Sequence, residues 1–393
     1  MKGSLRKRGD NWYYNFSIYV DGKRKKYEKK GGRTKKEAEG ALRKALAEFE
    51  GTGEVFNQSE ISFSDFLDFW FKNYVELNLK YNTKCDYTNT INNHIKPYFK
   101  NYKLKALTPA LLQEYINSKY INGYAKSTLS NHYGLLSIAL KSAVHPYGYI
   151  KDNPMQYVNM PKYNDLKNSQ TVNKIISKDD FSKIITRFNE DSNFYIPLQI
   201  AYHTGLRSAE VCGLTWDCID LCTGFIDVNK NLIIQGSRKT LSTTKNVSSR
   251  RKIKIGKSLI NILNKHKKRQ LENGLKYGEF YTRYINKNNV LFTTHNKFEE
   301  NIYFVNTKEN GEIITTNSLK YLSRVINYEL LIDFNFHALR HTHATMLIEA
   351  GANMKDVQVR LGHSNLATTM DTYSHVTDKM NSDTVDLFES IIL

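Results

Sequence analysis

Several things are missing from this chain, and each absence narrows what it can be. It has no run of about 18 apolar residues, the length a helix needs to cross a bilayer. The opening stretch MKGSLRKRGD lacks the apolar core of a secretory signal. Cysteine is scarce, with only Cys85, Cys212, Cys218 and Cys222, and no CxxC pair. A disulfide framework and a ribbon-type zinc site are thereby set aside; the thiols read as reduced in a cytoplasm, and Cys212, Cys218 and Cys222 as small buried hydrophobes. Acid is also short: 39 Asp and Glu face 57 Lys and Arg, a net charge of +18. That surplus points to a polyanion, nucleic acid before an anionic membrane.

At 393 residues, 40% apolar and 12% aromatic, the chain has material for two or three domains with ample cores. Residues 1–40 hold 13 Lys or Arg against 5 Asp or Glu. Within them NWYYNFSIYV alternates like a strand, Asp21-Gly22 is a hairpin turn and KRKKYEKKGG returns. A helix from Thr34 to Phe49 follows, with Glu37 completing a capping box. The expectation is a small basic sheet on one helix, suited to gripping phosphates or a major groove. Residues 60–165 carry four amphipathic segments: FSDFLDFWFKNYVEL, TKCDYTNTINNHIKPYF ending at Pro97, a helix capped by Thr108-Pro109, and KSTLSNHYGLLSIALKSAVH. In the last, Leu129, Tyr133, Leu136, Leu140 and Val144 form the core stripe, leaving Lys126, Ser127, Thr128, Asn131 and His132 for the outside. Residues 155–173 are polar with little periodicity and read as a linker.

Beyond the linker, Ser177 caps a helix through Phe188, and YIPLQIAYHTG ends a second at Gly205. Arg207 opens the next helix, whose free amides would add their partial charge to the guanidinium as a phosphate ligand; the bland reading is an arginine snorkelling from a core. The strands GFIDVNKNLIIQ and RRKIKIG bracket SRKTLSTTKNVSS, which places Lys245 in a hairpin turn. Residues 258–272 read as a basic amphipathic helix. Residues 273–316 look irregular, apart from a VLFTT strand and an Asn310-Gly311 turn. The acidic tail from Asp378 places Val385, Phe388, Ile391 and Ile392 at about helical spacing.

The chemistry concentrates in HALRHTHATMLIEAGANMKDVQVRLGHSNLATTMDTY, residues 337–373. Cutting a phosphodiester without a metal needs positive charge at the non-bridging oxygens, a proton for the leaving oxygen and an in-line nucleophile. His337 and Arg340 share a helix face, being three apart. Gly351 stops that helix. A short helix from Met354 to Leu361 ends at Gly362, so His363 sits at a helix C-terminus, which favours protonated imidazole. Ser364 can cap a third helix that presents Tyr373. Most of the 26 tyrosines must be packing. His337, His341 and His343 have no intervening carboxylate and match no zinc spacing, so His341 and His343 read as satisfied core histidines and no metal is called.

HALRH, then LGHSN, then a tyrosine ten residues after His363, resembles the catalytic end of the tyrosine recombinases, the phage-integrase family. TGLRSAE around Arg207, with Glu210 behind it, is similar to the family's first catalytic arginine. Lys245 sits in a run resembling its K-x-x-S-S-x-R lysine hairpin, with Lys239 and Lys252 as competitors. The resemblance implies catalytic Arg207, Lys245, His337, Arg340, His363 and Tyr373. It gives Tyr373 as nucleophile of a 3′-phosphotyrosine link, Lys245 as general acid, and no cofactor or metal. The implied fold is mixed α and β, mainly α: an N-terminal arm-type DNA-binding domain at 1–57, a helical core-binding, SAM-like domain at 60–165, and an α+β catalytic domain at 174–393. The implied partners are double-stranded DNA at crossover and arm sites, three further copies in a homotetramer, an excisionase and a DNA-bending protein. The expected setting is a bacterial cytoplasm at the nucleoid, the element a prophage or conjugative transposon, with the tail either folded back on its own domain or, as is commoner in the family, packed on a neighbouring subunit. A DNA-binding regulator that never uses the site and a type IB topoisomerase are the alternatives.

Overall fold

The computed structural model describes residues 3–20, 23–52, 59–163, 174–243, 250–296, 298, 300–363, 365 and 370. They fall into two compact units divided at Asn164/Asp165. The architecture is mixed α and β, mainly α.

The first unit opens with an antiparallel sheet, β1 (Ser4–Arg8), β2 (Asn11–Val20) and β3 (Lys23–Gly32), in the order β1-β2-β3. The bounds of β2 and β3 are those the alternation predicts; β1, too short and basic to stand out, was not foreseen. Helix α1 (Lys35–Thr52) begins at the predicted box, with Glu37 N–H on Thr34 Oγ1 and Thr34 N–H on Glu37 Oε2, both 3.2 Å. It packs so closely that a Cβ on Gly31 would meet Ala38 Cα at 2.6 Å. Phe16 and Ala38 are buried between sheet and helix, while Arg6, Lys7, Arg24, Lys26, Lys29 and Lys30 stay exposed.

A helical bundle follows in the same unit. Helix α2 (Phe63–Trp70) runs through a π-helical turn (Phe71–Val75) into α3 (Glu76–Asn78). Helix α4 (Tyr81–Thr90) does the same through Ile91–Ile95 into α5 (Lys96–Tyr98), so it continues one residue past Pro97. Helices α6 (Pro109–Ile121), capped by Thr108, and α7 (Lys126–Val144) complete it. Phe63, Phe66, Trp70, Tyr115, Leu129 and Leu136 fill the core. Two readings need correction here. His132 is not outside: it is 2% exposed, with Nδ1 2.9 Å from the Tyr115 hydroxyl. It lies three residues from both Leu129 and Leu135, on the buried face of α7. Residues 155–163 are not linker: Met155 and Val158 are buried in the bundle core, and Met160 and Tyr163 pack against it. The side-chain amide of Gln113 pairs with both backbone groups of Asn159 at 2.8 and 2.9 Å, an anchor that polar composition hides.

The second unit begins with α8 (Lys178–Arg187), capped by Ser177, then α9 (Tyr195–Thr204) and α10 (Ser208–Cys212). Strands β4 (Ile219–Asp220), β5 (Phe225–Val228), β6 (Lys230–Gln235), β7 (Arg238–Thr243) and β8 (Arg251–Lys254) lead to helix α11 (Lys257–Tyr277). Strands β9 (Arg283–Lys287), β10 (Val290–Thr294) and β11 (Asn301–Ile302) precede α12 (Thr316–Glu329), α13 (Ala338–Glu349) and α14 (Met354–Leu361). The sheet orders are β11-β9-β10-β7-β6 and β4-β5-β8. The segment read as irregular therefore widens the β6–β7 hairpin into a five-stranded sheet. Its β9–β10 turn uses Asn288 and Asn289 at φ 52° and 64°, a left-handed pair without glycine, which masks the hairpin signal. The expected pairing of GFIDV with RRKIK is present as β5 with β8, but the stretch read as the turn between them contains β7, which pairs with β6. Lys245 itself lies outside the described residues. Cys212 and Cys218 are buried as expected, but Cys222, read with them, is exposed. No helix among the described residues is long and apolar enough to cross a membrane.

Candidate active site

Three chain segments meet in the second unit. Helix α9 ends at Gly205, in the left-handed region at φ 66°, and this turns the chain sharply into Arg207. Arg207 is the N-cap of α10, extended at φ −69°, ψ 152°, and its N–H donates to Glu210 Oε2 at 2.9 Å. Its guanidinium donates to Glu210 Oε1 at 2.9 Å and to the Gly362 carbonyl at 3.1 Å, and stays 36% exposed. Glu210 thus holds the arginine as anticipated.

Helix α13 brings His337 as its N-cap and, one turn on, Arg340. Arg340 is only 2% exposed, and its two terminal nitrogens donate at 2.8 Å to the carbonyls of Gly205 and Leu361. Helix α14 ends where the sequence predicts, with Gly362 left-handed at φ 70°. His363 N–H returns to the Gln358 carbonyl at 3.1 Å and its own carbonyl accepts from Gln358 Nε2 at 3.0 Å, so the turn holding the imidazole is fixed. Arg207, His337, Arg340 and His363, up to 156 residues apart in sequence, are therefore gathered around the Gly205 and Gly362 turns. Lys245, Ser364 and Tyr373 lie outside the described residues.

The electrostatics overturn one expectation. The helix C-terminus does not leave His363 protonated: burial first, then Arg340, Arg207, His341 and Arg251, push it down to about 4. His337 is likewise pushed to about 4, by burial, His341 and Arg340, with the Glu210 charge opposing. The end of a helix is a weak attraction for a proton when three of its carbonyls already accept from guanidiniums. Burial works to raise the Glu210 carboxyl, yet the hydrogen bond and charge of Arg251, with Arg207 behind them, hold it below the usual range.

Arg251 and Arg360 were missed by reading the sequence. Arg251 is 7% exposed and clamps Glu210 with both terminal nitrogens, at 3.1 and 2.9 Å, while Nε donates to the Arg360 carbonyl at 2.7 Å. Arg360 donates to His343 Nε2 at 2.9 Å and to the Lys254 and His203 carbonyls. His343 turns Nδ1 to the Tyr202 carbonyl at 2.9 Å, so it is a satisfied core histidine as expected. His341 packs edge-on against His337, ring centroids 4.9 Å apart. A K-x-x-S-S-x-R run was visible around Arg251, but only its lysine drew attention.

Four guanidiniums, two imidazoles pushed well below their ordinary pKa and the Glu210 carboxylate thus stand together in a unit of mixed α and β structure. The chain belongs to the phage integrase family: the profile described as "Phage integrase family" matches residues 174–380. Profiles for a phage integrase N-terminal SAM-like domain and an arm DNA-binding domain match residues 62–120 and 4–49. A "Tyrosine recombinase XerC-like" protein of Caldanaerobacter subterraneus subsp. tengcongensis is 28% identical over 92% of this chain and 91% of its own length. The ICEBs1 integrase of Bacillus subtilis is 25% identical over 77% of this chain and 76% of its own. Among solved structures, the Tn1549 transposon integrase in complex with transposon right end DNA shares the fold at 20% identity and a TM-score of 0.64, covering 83% of this chain and 99% of that one. A lambda integrase dimer bound to a core site does so at 17% identity and 0.55, over 94% and 93%.

Proposed function

We propose that this protein is the integrase of a mobile element, a site-specific tyrosine recombinase that cuts and rejoins DNA through a 3′-phosphotyrosine link to Tyr373. One observation carries this reading: Arg207, His337, Arg340 and His363 come together around the Gly205 and Gly362 turns, with the Arg207 guanidinium 36% exposed. Guanidiniums and imidazoles set side by side are the donors that the non-bridging oxygens of a scissile phosphate need. DNA is the partner. The regulator and topoisomerase readings have nothing further in their favour.

In the proposed reaction the Tyr373 oxygen attacks phosphorus as the bond to the 5′ oxygen breaks. Arg207 and Arg340 bind the non-bridging oxygens and offset the charge of the phosphorane. His337, neutral at pH 7, accepts the phenol proton, and His363 donates a hydrogen bond to a phosphate oxygen. Lys245 protonates the departing 5′ oxygen. The bond energy is kept in the phosphotyrosine link, so the 5′ hydroxyl of a partner strand reverses the step without ATP. Residues 1–57 serve as an arm-type DNA-binding domain, 60–165 as the core-binding domain and 174–393 as the catalytic domain. Four copies assemble on two synapsed sites, with an excisionase and a DNA-bending protein directing excision. The test is incubation with nicked attachment-site DNA: wild type yields a covalent protein–DNA band, and Tyr373→Phe binds but yields none. A wild type that binds and never forms the band sinks the proposal.

A further inference from the structure

The end of helix α14 presents three successive carbonyls, and each accepts a hydrogen bond from a different arginine. Arg251 Nε donates to Arg360 at 2.7 Å, Arg340 to Leu361 at 2.8 Å and Arg207 to Gly362 at 3.1 Å. These orphan groups carry the negative end of the helix dipole, so the helix terminus is a socket for guanidiniums. Two of the three are the phosphate ligands of the proposed reaction. The third differs in its partner: both terminal nitrogens of Arg251 bond the Glu210 carboxylate, which already offsets its charge, whereas those of Arg340 bond neutral carbonyls.

We propose that Arg251 is a positioning residue for strand cleavage: it sets Arg207 through Glu210, and the His363 turn through the Arg360 carbonyl, without touching DNA. This rests on the recombinase reading. The geometry leaves Arg251 little freedom. Each Glu210 oxygen accepts from both Arg207 and Arg251, so neither guanidinium can shift without moving the carboxylate. On the other side Gly362 is pressed against it, for a Cβ there would lie 3.1 Å from both Arg251 Cδ and one terminal nitrogen. Lysine has the charge but not the planar fork, so it cannot clamp both carboxylate oxygens and reach the Arg360 carbonyl together. Arg251 also begins β8, six residues after Lys245, so one side chain ties the strand leaving the proposed general acid to both phosphate-binding turns.

The experiment measures DNA affinity and the single-turnover rate of covalent-complex formation on nicked attachment-site DNA, for the full chain and for Arg251→Lys, Arg251→Ala and Glu210→Gln. The expected result is a rate loss of about 100-fold, the scale of a misplacement near 1 Å, with Kd changed by less than about threefold. Guanidinium ion added to Arg251→Ala should recover part of the rate. Combining Arg251→Lys with Arg207→Lys should be no slower than Arg207→Lys alone, since both act through one guanidinium. The acidic limb of the rate profile should move to higher pH in Arg251→Lys, because Glu210 loses the partner that keeps it ionised. Wild-type rates in Arg251→Lys and Glu210→Gln, or rate and affinity falling together, overturn the inference; so does loss of cooperative folding in both variants, which makes Arg251 structural. A wild-type chain that forms no covalent complex tells against the recombinase reading instead.

Discussion

Two arginines in this protein share one proposed task in different surroundings. Arg340 is almost fully enclosed and fixed at both terminal nitrogens by carbonyls, whereas Arg207 remains about one-third exposed. Arg340→Lys keeps the charge but cannot span the Gly205 and Leu361 carbonyls, so covalent-complex formation should fall by about 100- to 1,000-fold, as for loss of one preorganised donor; a nicked-substrate assay reads this directly. The histidines make a prediction about pH. His337 and His363 are held near 4 and His343 near 3, against 6.5 when solvated. As pH falls below about 6.5, the unfolded chain takes up these protons first, so stability must decline between about 6.5 and about 4. Glu210 acts in the same direction: its depressed pKa gives stability present above the ordinary carboxylate range and lost as pH falls through the folded value. Urea midpoints should therefore drop from pH 7.5 to pH 5, and a flat profile would contradict the buried, neutral assignment. Imidazole NMR should show His363 neutral at pH 7 in the free protein and raised in pKa when DNA phosphate is bound. Of these residues, Arg207, His337, Arg340 and His363 were legible because their motifs are local. Arg251 and Arg360 were not, since each matters through atoms more than a hundred residues away.

At the scale of the element, helix ends were the most readable features. Thr34, Thr108, Ser177, Gly205 and Gly362 all act where cap chemistry puts them. The two glycines also carry the site, as their left-handed turns expose carbonyls to Arg340 and Arg207. At Gly205 a Cβ would lie 2.8 Å from Leu361 Cδ2 and 2.9 Å from His343 Cδ2. Gly123 has the same hand, φ 79°, but open space around it. Gly123→Ala should cost about 1 kcal/mol, the strain of a left-handed L-residue, and Gly205→Ala clearly more in urea unfolding. Equal costs would mean that the Leu361–His343 wall yields freely. What the elements hid were the two π-helical turns and the Asn-Asn hairpin, because no composition signal distinguishes an extra helical residue or an asparagine with positive φ from its ordinary neighbours.

For the whole molecule, the charge surplus makes affinity for DNA a steep function of salt. Log K should fall linearly with log salt, by about 0.9 for each phosphate contact. Replacing exposed Lys29 and Lys30 by glutamine should make that slope shallower by up to about 2 on DNA carrying arm sites. A slope that does not change removes β3 from the DNA interface.

The sequence by itself determined most of the helices, the β2–β3 hairpin, the caps that end them, and the local motifs that bring arginine and histidine to helix termini. These follow from periodicity and capping, which act over a few residues. The tertiary structure alone decided that His132 turns inward, that His363 is neutral, that residues 155–163 belong to a core, and that the end of α14 gathers three guanidiniums. Those outcomes depend on burial and on hydrogen bonds between distant segments, and neither quantity exists until the chain has closed on itself.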